Sequence, residues 1–314
     1  MRNVHKLTEG AVLLAAFAVL ILITIYVPVL GIATNLFLAV PFILFAAKNT
    51  RMNAFVFLIA AILLSLIVGT ILAVPLTLSY GMTGLVIGYF IQEKKGRGAT
   101  FIAGSLVFLA NLLLQYAVAV AFFKINFIEE VIDLMKESIN RSKSMLDAIG
   151  QNTDGAVVEQ FESFLETIEL LTPSLFVMMS LMAVILIELV SFPIIKRFGI
   201  NPGPRKPFRE LTMPKSILWY YLITILASFV IKPAEGSYWF LALINIAFSL
   251  QLIMVFQGLS FIFYISYKKG LPRAIPIVVT VFTLLIPVFL SIVRILGIID
   301  LGFGLRKRLE KTDE

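Results

Sequence analysis

Apolar residues in this chain come in long unbroken blocks, and the polar residues between them are few and mostly basic. The blocks run over about 7–47, 54–91, 101–123, 174–195, 216–231, 238–267 and 274–305. A helix needs about 20 apolar residues to cross the hydrocarbon core of a bilayer, so two blocks are too long for one span and must be broken. The first breaks near Pro28 and Gly31, the second near Pro75 and Gly81. The pattern then predicts helices at about 8–27, 30–47, 54–73, 76–91, 101–123, 174–195, 215–231, 238–267 and 274–290. A tenth, short segment at about 292–305 would return the basic cluster Arg306, Lys307 and Arg308 to the side on which the chain began. The expected fold is all-α: a polytopic membrane helix bundle of about ten segments.

One stretch departs from this pattern. Residues 124–173 hold ten acidic and four basic residues, a net of −6, which leaves +13 for the rest of a chain whose total is +7. Seam positions, all but Ser142 apolar, recur there at steps of three and four: Ile128, Ile132, Met135, Ile139, Ser142, Leu146 and Ile149, then Val157, Phe161, Phe164, Ile168 and Leu171. Both runs are heptad seams, and Asn152-Thr153-Asp154-Gly155 reads as the turn between them, with Thr153 or Asp154 as N-cap. The expected structure is an extracytoplasmic helical hairpin whose seams pack on each other, or which offers them to a partner or to a second copy in a homodimer. An arm lying in the membrane interface would need basic residues on its polar face, and this segment is acidic. The segments expected are therefore 1–123, the acidic hairpin 124–173, and 174–314.

Charge fixes an orientation. Lys and Arg collect in cytoplasmic loops, and here they follow alternate helices: Arg2 and Lys6, Lys48 and Arg51, Lys94–Arg97, Lys196–Lys215, and Lys268–Arg273. All fall on one side if the N-terminus is cytoplasmic, which places the acidic hairpin outside a plasma membrane. Basic residues confined to these loops give no reason to expect nucleic acid; the expected partners are the lipid bilayer and other membrane proteins.

Candidate chemistry is sparse. Cysteine is absent and His5 is the single histidine, so neither a thiolate nucleophile, a Ser-His-Asp triad nor a multi-His metal site can be built. Phosphate-binding G-x-x-x-x-G-K-[ST], H-E-x-x-H and G-x-S-x-G patterns do not occur. No enzyme, cofactor or metal is expected. Ionisable groups inside a bilayer are costly and functional by default; these are Glu188, Arg294 and Asp300, with Glu9 at the interface. Asn111 and Gln115 share a helix face beside Tyr116 and form the first candidate for a solute pocket. Asn245 and Ser249 share another face, with Gln251 and Gln257 further along the same helix.

The stretch Thr8-Glu-Gly-Ala-Val-Leu-Leu-Ala-Ala-Phe-Ala opens a helix with small residues at Ala11, Ala15 and Ala18. A Pro/Gly-broken hairpin, then Asn53-Ala-Phe-Val-Phe-Leu-Ile-Ala-Ala and Ser79-Tyr-Gly-Met-Thr-Gly-Leu-Val-Ile-Gly-Tyr follow. This resembles the substrate-binding S-components of energy-coupling-factor transporters over about 7–123, and to 195 if the hairpin is an insertion. The resemblance implies a small solute bound from outside and an Ala-x-x-x-Ala face, here Ala11 and Ala15, that docks a transmembrane coupling subunit. S-components stop after six helices, whereas this chain continues for about four more. With its Gly297-Ile-Ile-Asp-Leu-Gly-Phe-Gly-Leu-Arg-Lys-Arg ending, the whole chain resembles the YybS family of bacterial multi-pass membrane proteins, and more distantly the morphogenesis protein MreD. That second likeness implies a scaffold binding protein partners through the outer hairpin and the inner basic loops.

Overall fold

The computed structural model describes residues 2–148, 155–204 and 207–311. Its helices are α1 (Arg2–Tyr26), α2 (Pro28–Asn35), α3 (Val40–Lys48), α4 (Arg51–Gly69), α5 (Ala73–Gln92), α6 (Arg97–Val118), α7 (Phe127–Ala148), α8 (Gly155–Leu170), α9 (Thr172–Arg197), α10 (Ser216–Ile231), α11 (Tyr238–Lys268), α12 (Ala274–Leu285), α13 (Pro287–Phe303) and α14 (Leu305–Lys311). No strand occurs among the described residues. The chain is a polytopic helical membrane protein. Seven helical stretches are long and apolar enough to cross a bilayer, with Pro28–Lys48 counted as one, and α12 with α13 brings the number to eight if that bent pair is a single span. With the shorter apolar helix Ser216–Ile231, this stands close to the ten segments expected without establishing that count.

The chain divides into two compact units. Unit 1 comprises 1–131 and 175–205; unit 2 comprises 132–174 and 206–314. Helix α9 thus belongs with the N-terminal helices, so α1, α2–α3, α4, α5, α6 and α9 make one six-span unit interrupted by the acidic insertion.

In unit 1, α5 lies against α3 through a glycine face. A Cβ on Gly84 would stand 2.8 Å from the Ala39 carbonyl oxygen, and one on Gly88 would stand 2.6 Å from that of Ile43. Contact positions rise together along both helices, so α3 and α5 run parallel. Beside this seam Phe17, Phe42, Phe45 and Phe57 form an aromatic core, with ring centroids 4.4–5.4 Å apart. Helix α6 runs antiparallel to both α5 and α9: Gln115 meets Ser79 while Gly104 meets Ile87, and Gly104 also meets Val184 while Arg97 covers Phe192. These registers bring the charged loop residues to one end. Lys48 binds Glu9 at 2.8 Å, Arg51 lies 4.0 Å from Glu93 and over Tyr89, and Gln92 donates to the Asn49 carbonyl.

The second break differs from the expected one. Helix α4 ends at Gly69 and the turn falls on Thr70, at φ 64°, so Pro75 sits in the first turn of α5 and Gly81 in its interior. A proline in a first turn removes no intrahelical bond, which is why it does not break this helix. Pro28 starts α2 in the same way, and the chain then turns again at 36–39 before α3.

The acidic insertion folds as two helices. Asn126 caps α7: its Oδ1 accepts from the Glu129 amide at 3.4 Å, and its Nδ2 donates to the Glu129 carboxylate at 3.2 Å, a reciprocal cap. Of the seam residues, Ile132 is buried, while Ile128, Ile139, Leu146, Phe161 and Ile168 are half-buried. Met135 and Phe164 face outward, and Leu165 rather than Phe164 is the buried residue of α8. The expected turn at 152–154 and Ile149 lie outside the described residues. The foot of α8 is tied to α11. Asn245 donates to the Leu170 carbonyl at 2.8 Å and accepts from both the amide and the hydroxyl of Ser174, at 3.0 and 2.7 Å.

In unit 2, α11 and α13 meet backbone to backbone. A Cβ on Gly258 would stand 2.0 Å from the Val293 oxygen, and one on Gly297 the same distance from the Met254 oxygen. The hydrogen-bonded pairs Gln251–Arg294 and Gln257–Asp300, and Lys268–Leu309 beyond them, rise in step, so these helices also run parallel. Between them the chain turns through 118° at Ile286 rather than at the expected 290–292. Parallel helices joined by one sharp turn require α12 to enter and α13 to return on the side where α11 ends. The pair is therefore a re-entrant hairpin, about 18 Å deep along α12 at 1.5 Å per residue. Lys268 at the end of α11 accordingly donates to the Leu309 carbonyl in α14.

Two predictions follow from the parallel crossing. Gly270→Cys and Lys307→Cys, made singly in this cysteine-free chain, should react with an impermeant reagent from the same side of the membrane; reaction from opposite sides would mean that α12 and α13 together cross. Gly297→Val should destabilise the detergent-solubilised protein by roughly 1–3 kcal/mol or more, whereas Gly302→Ala, whose Cβ would meet only a Leu218 methyl at 3.5 Å, should leave the melting temperature unchanged.

Candidate functional site

The densest set of buried polar groups in unit 2 stands at the end of the α11–α13 seam. Asp300, Gln257 and Ser260 are all buried. Gln257 donates to Asp300 Oδ2 at 2.5 Å, and the same oxygen accepts from Arg306 Nε at 3.0 Å. Arg306 also donates through Nη2 to Ser260 Oγ at 3.0 Å, and through Nη1 to the Arg209 carbonyl at 2.8 Å. Local sequence explains how it returns. Helix α13 ends on Gly304 at φ 60°, whose amide closes onto the Asp300 carbonyl, and this left-handed cap turns the chain back so that the residue two further on faces Asp300.

Asp300 and Arg306 are nearly buried, with side chains 2% and 11% exposed. A buried ion pair is tolerated when its remaining donors and acceptors are met, and here Gln257, Ser260 and a backbone carbonyl meet them. Arg294 lies two turns back along α13 and is half-buried, donating to Gln251 Oε1 at 3.0 Å. The two ionisable residues expected in the final segment thus each stand beside a glutamine of α11. Sequence reasoning read Arg306 as a loop charge and did not join it to Asp300; the Asp-x-x-x-Gly-x-Arg spacing was the available signal.

The remaining candidates lie in unit 1. Glu188 is half-buried on α9, between the contacts Val184–Gly104 and Phe192–Arg97, hence toward the basic end. Asn111, Gln115 and Tyr116 are divided among different partners. Asn111 donates to the Val107 carbonyl of its own helix, Gln115 to Ser79 Oγ and the Pro75 carbonyl of α5, and Tyr116 to Asn126 Oδ1. Ala11 and Ala15 are exposed on α1 and, with Ala18, line a shallow apolar groove whose other wall is Ala60, Leu64 and Ile67 of α4. The opposite face of α1 carries Phe17 and Ile21 into the core, so the alanine face is left open. Among the described residues no group of three or more His, Asp or Glu side chains could hold a metal ion.

The family described as "Predicted membrane protein (DUF2232)" matches residues 15–301, which takes in both units and reaches Asp300. The chain belongs to this family. It is also 29% identical over 318 residues to the uncharacterized protein YybS of Bacillus subtilis (strain 168), covering 99% of this chain and 100% of that one. No solved structure matches.

If Arg306 and Asp300 act as one unit, each single alanine replacement should cost toward the lower end of roughly 3–5 kcal/mol, because it strands a buried charge. The double replacement should then cost clearly less than the two together. Additive costs in thermal or denaturant unfolding would mean that the pair contributes no coupling.

Proposed function

We propose that this protein is a transport-related component of the plasma membrane, with its N-terminus in the cytoplasm, and that its six-span unit docks laterally on another membrane protein. The observation that carries this reading is the open groove between α1 and α4. Without a hydrophobic force between helices in lipid, association rests on close packing, and small residues permit it. Ala11 and Ala15 stand one turn apart on such a face, with nothing of α4 closing over them. The likeness to S-components, in which the corresponding face meets a transmembrane coupling subunit, gives this groove its expected occupant.

Two further features support the transport reading. Helices α1, α2–α3, α4, α5, α6 and α9 make a six-span unit once the acidic insertion is set aside. Within it the hydroxyls of Thr83, Ser105 and Ser191 are buried without a hydrogen-bond partner, which suits an interior that receives a polar solute. A second reading, a scaffold for protein partners, draws on Asn111, Gln115 and Tyr116, whose polar groups are already engaged within the chain, and on the outer hairpin anchored at Asn245.

Purification from native membranes separates the readings. Copurified membrane protein together with a retained small molecule favours transport; copurified protein with no retained solute favours the scaffold. Ala15→Leu should abolish recovery of the partner while leaving the melting temperature within about 1 °C. Unchanged recovery in that variant would show that the groove faces lipid alone.

A further inference from the structure

The chain enters unit 2 through a strap, residues 207–213, that has no regular secondary structure beyond one 3-10 turn at Phe208–Glu210. Prolines stand at 202, 204, 207 and 214, so the strap is bounded by residues that cannot extend a helix into it. Its backbone hydrogen bonds go largely to side chains. Ser260 Oγ lies 2.8 Å from the Phe208 carbonyl and 2.7 Å from that of Leu211. Arg306 donates to the Arg209 carbonyl and reaches Thr212 Oγ1 at 3.4 Å, and the Met213 amide donates to Gln257 Oε1 at 2.9 Å. Phe208 packs edge-on against Phe263, and Arg209 lies 3.7 Å above the Tyr267 ring.

Two details separate this arrangement from an ordinary packed loop. Ser260 has a single proton for two carbonyls, so one of the two strap oxygens is always without it. And the charged pair of the seam stays closed without the strap, though Gln257 Oε1 and one Arg306 nitrogen lose a partner. Asp300 keeps Arg306 and Gln257, and Arg306 keeps Asp300 and Ser260, if 207–213 departs. No buried charge is stranded by the departure, and the side chains of Phe208, Glu210, Leu211 and Thr212 are already exposed, so water can take over the freed carbonyls.

We infer that residues 207–213 are a releasable strap, latched over the end of the α11–α13 seam by Arg306 and Ser260, which opens while the seam stays folded. The latch residue sits six positions beyond Asp300, in α14 just past the Gly304 cap of the returning arm, so a movement of α13 along α11 is felt first at the strap. The strap in turn leads directly to residue 205, where unit 1 ends. This gives the hairpin a mechanical connection to the entry of unit 2.

Hydrogen exchange followed by mass spectrometry on the full-length protein in detergent or nanodiscs tests this. In the unmodified protein, peptides covering 207–214 should exchange at least tenfold faster than those covering 250–264 and 291–301. Arg306→Lys keeps a cation for Asp300 but lacks the planar fork that serves three directions; it should speed strap exchange a further tenfold and leave the seam peptides unchanged. Ser260→Ala should do the same by a different route, and guards against a folding defect in the first variant. Strap and seam peptides losing protection together, or strap exchange unaltered in both variants, would overturn the inference.

Discussion

Among the described glycines, the closest approach is between two peptide backbones. Because neither Gly258 nor Gly297 carries a side chain, α11 and α13 come within contact of each other's carbonyls, at Met254 and Val293. In lipid that proximity replaces the hydrophobic effect as the source of helix association. It also sets the register of the polar pairs on either side. Gln251 faces Arg294 and Gln257 faces Asp300 only because the glycines allow the helices to close at that height. A larger residue at either position would separate the helices and leave an aspartate and an arginine facing hydrocarbon, at a cost much greater than the lost packing.

The same device recurs in unit 1 with a different result. Gly84 and Gly88 bring α5 onto the carbonyls of α3, again between parallel helices, but no charged pair lies on that seam. Its flank is filled by Phe17, Phe42, Phe45 and Phe57. Unit 1 is thus built around an apolar seam, whereas unit 2 carries charge into its seam. A re-entrant hairpin accounts for the difference. Irregular backbone at membrane depth must be buried in protein or face water, and a helix that returns to its own side keeps its C-terminal cations near the aqueous surface, where Arg306 can reach inward to Asp300.

Much of this was legible in the order of residues, for a physical reason. A bilayer requires long apolar runs and penalises exposed polar backbone, so the spans, the acidic insertion at 124–173 and the one-sided basic loops could all be read before any contact was known. The breaks were less legible, because a proline reads as a helix breaker whether it ends a helix or begins one. Pro75 lies in a first turn, and the actual turn falls before it, at Thr70. Tertiary pairing was the least legible. Asp300 stood out as an ion inside a membrane segment, but Arg306 was masked by lying in a basic cluster where orientation already accounted for it. Ala11 and Ala15 were visible as small residues, yet only the placement of α4 decides that they line a groove open to the membrane.

The position of α9 ties these points together. Its sequence follows the acidic hairpin, and by chain order it belongs with the C-terminal helices; by packing it completes unit 1, antiparallel to α6. A chain that leaves unit 1 after α6, forms a hairpin, and returns through α9 crosses between the units at residues 131, 174 and 205. Two of these crossings adjoin a polar anchor: Ser174 binds Asn245 near the start of α11, and the strap after residue 205 binds Ser260 and Gln257 near its other end. Helix α11, one rod of 31 residues, is thus tied to the chain at two points within unit 2. A long helix tied at both ends cannot shift at one anchor without either sliding or releasing the other. The anchor at Ser174 is buried and draws on both groups of the Asn245 side chain, whereas the strap rests on half-exposed backbone carbonyls. By that contrast, the strap is the looser of the two anchors.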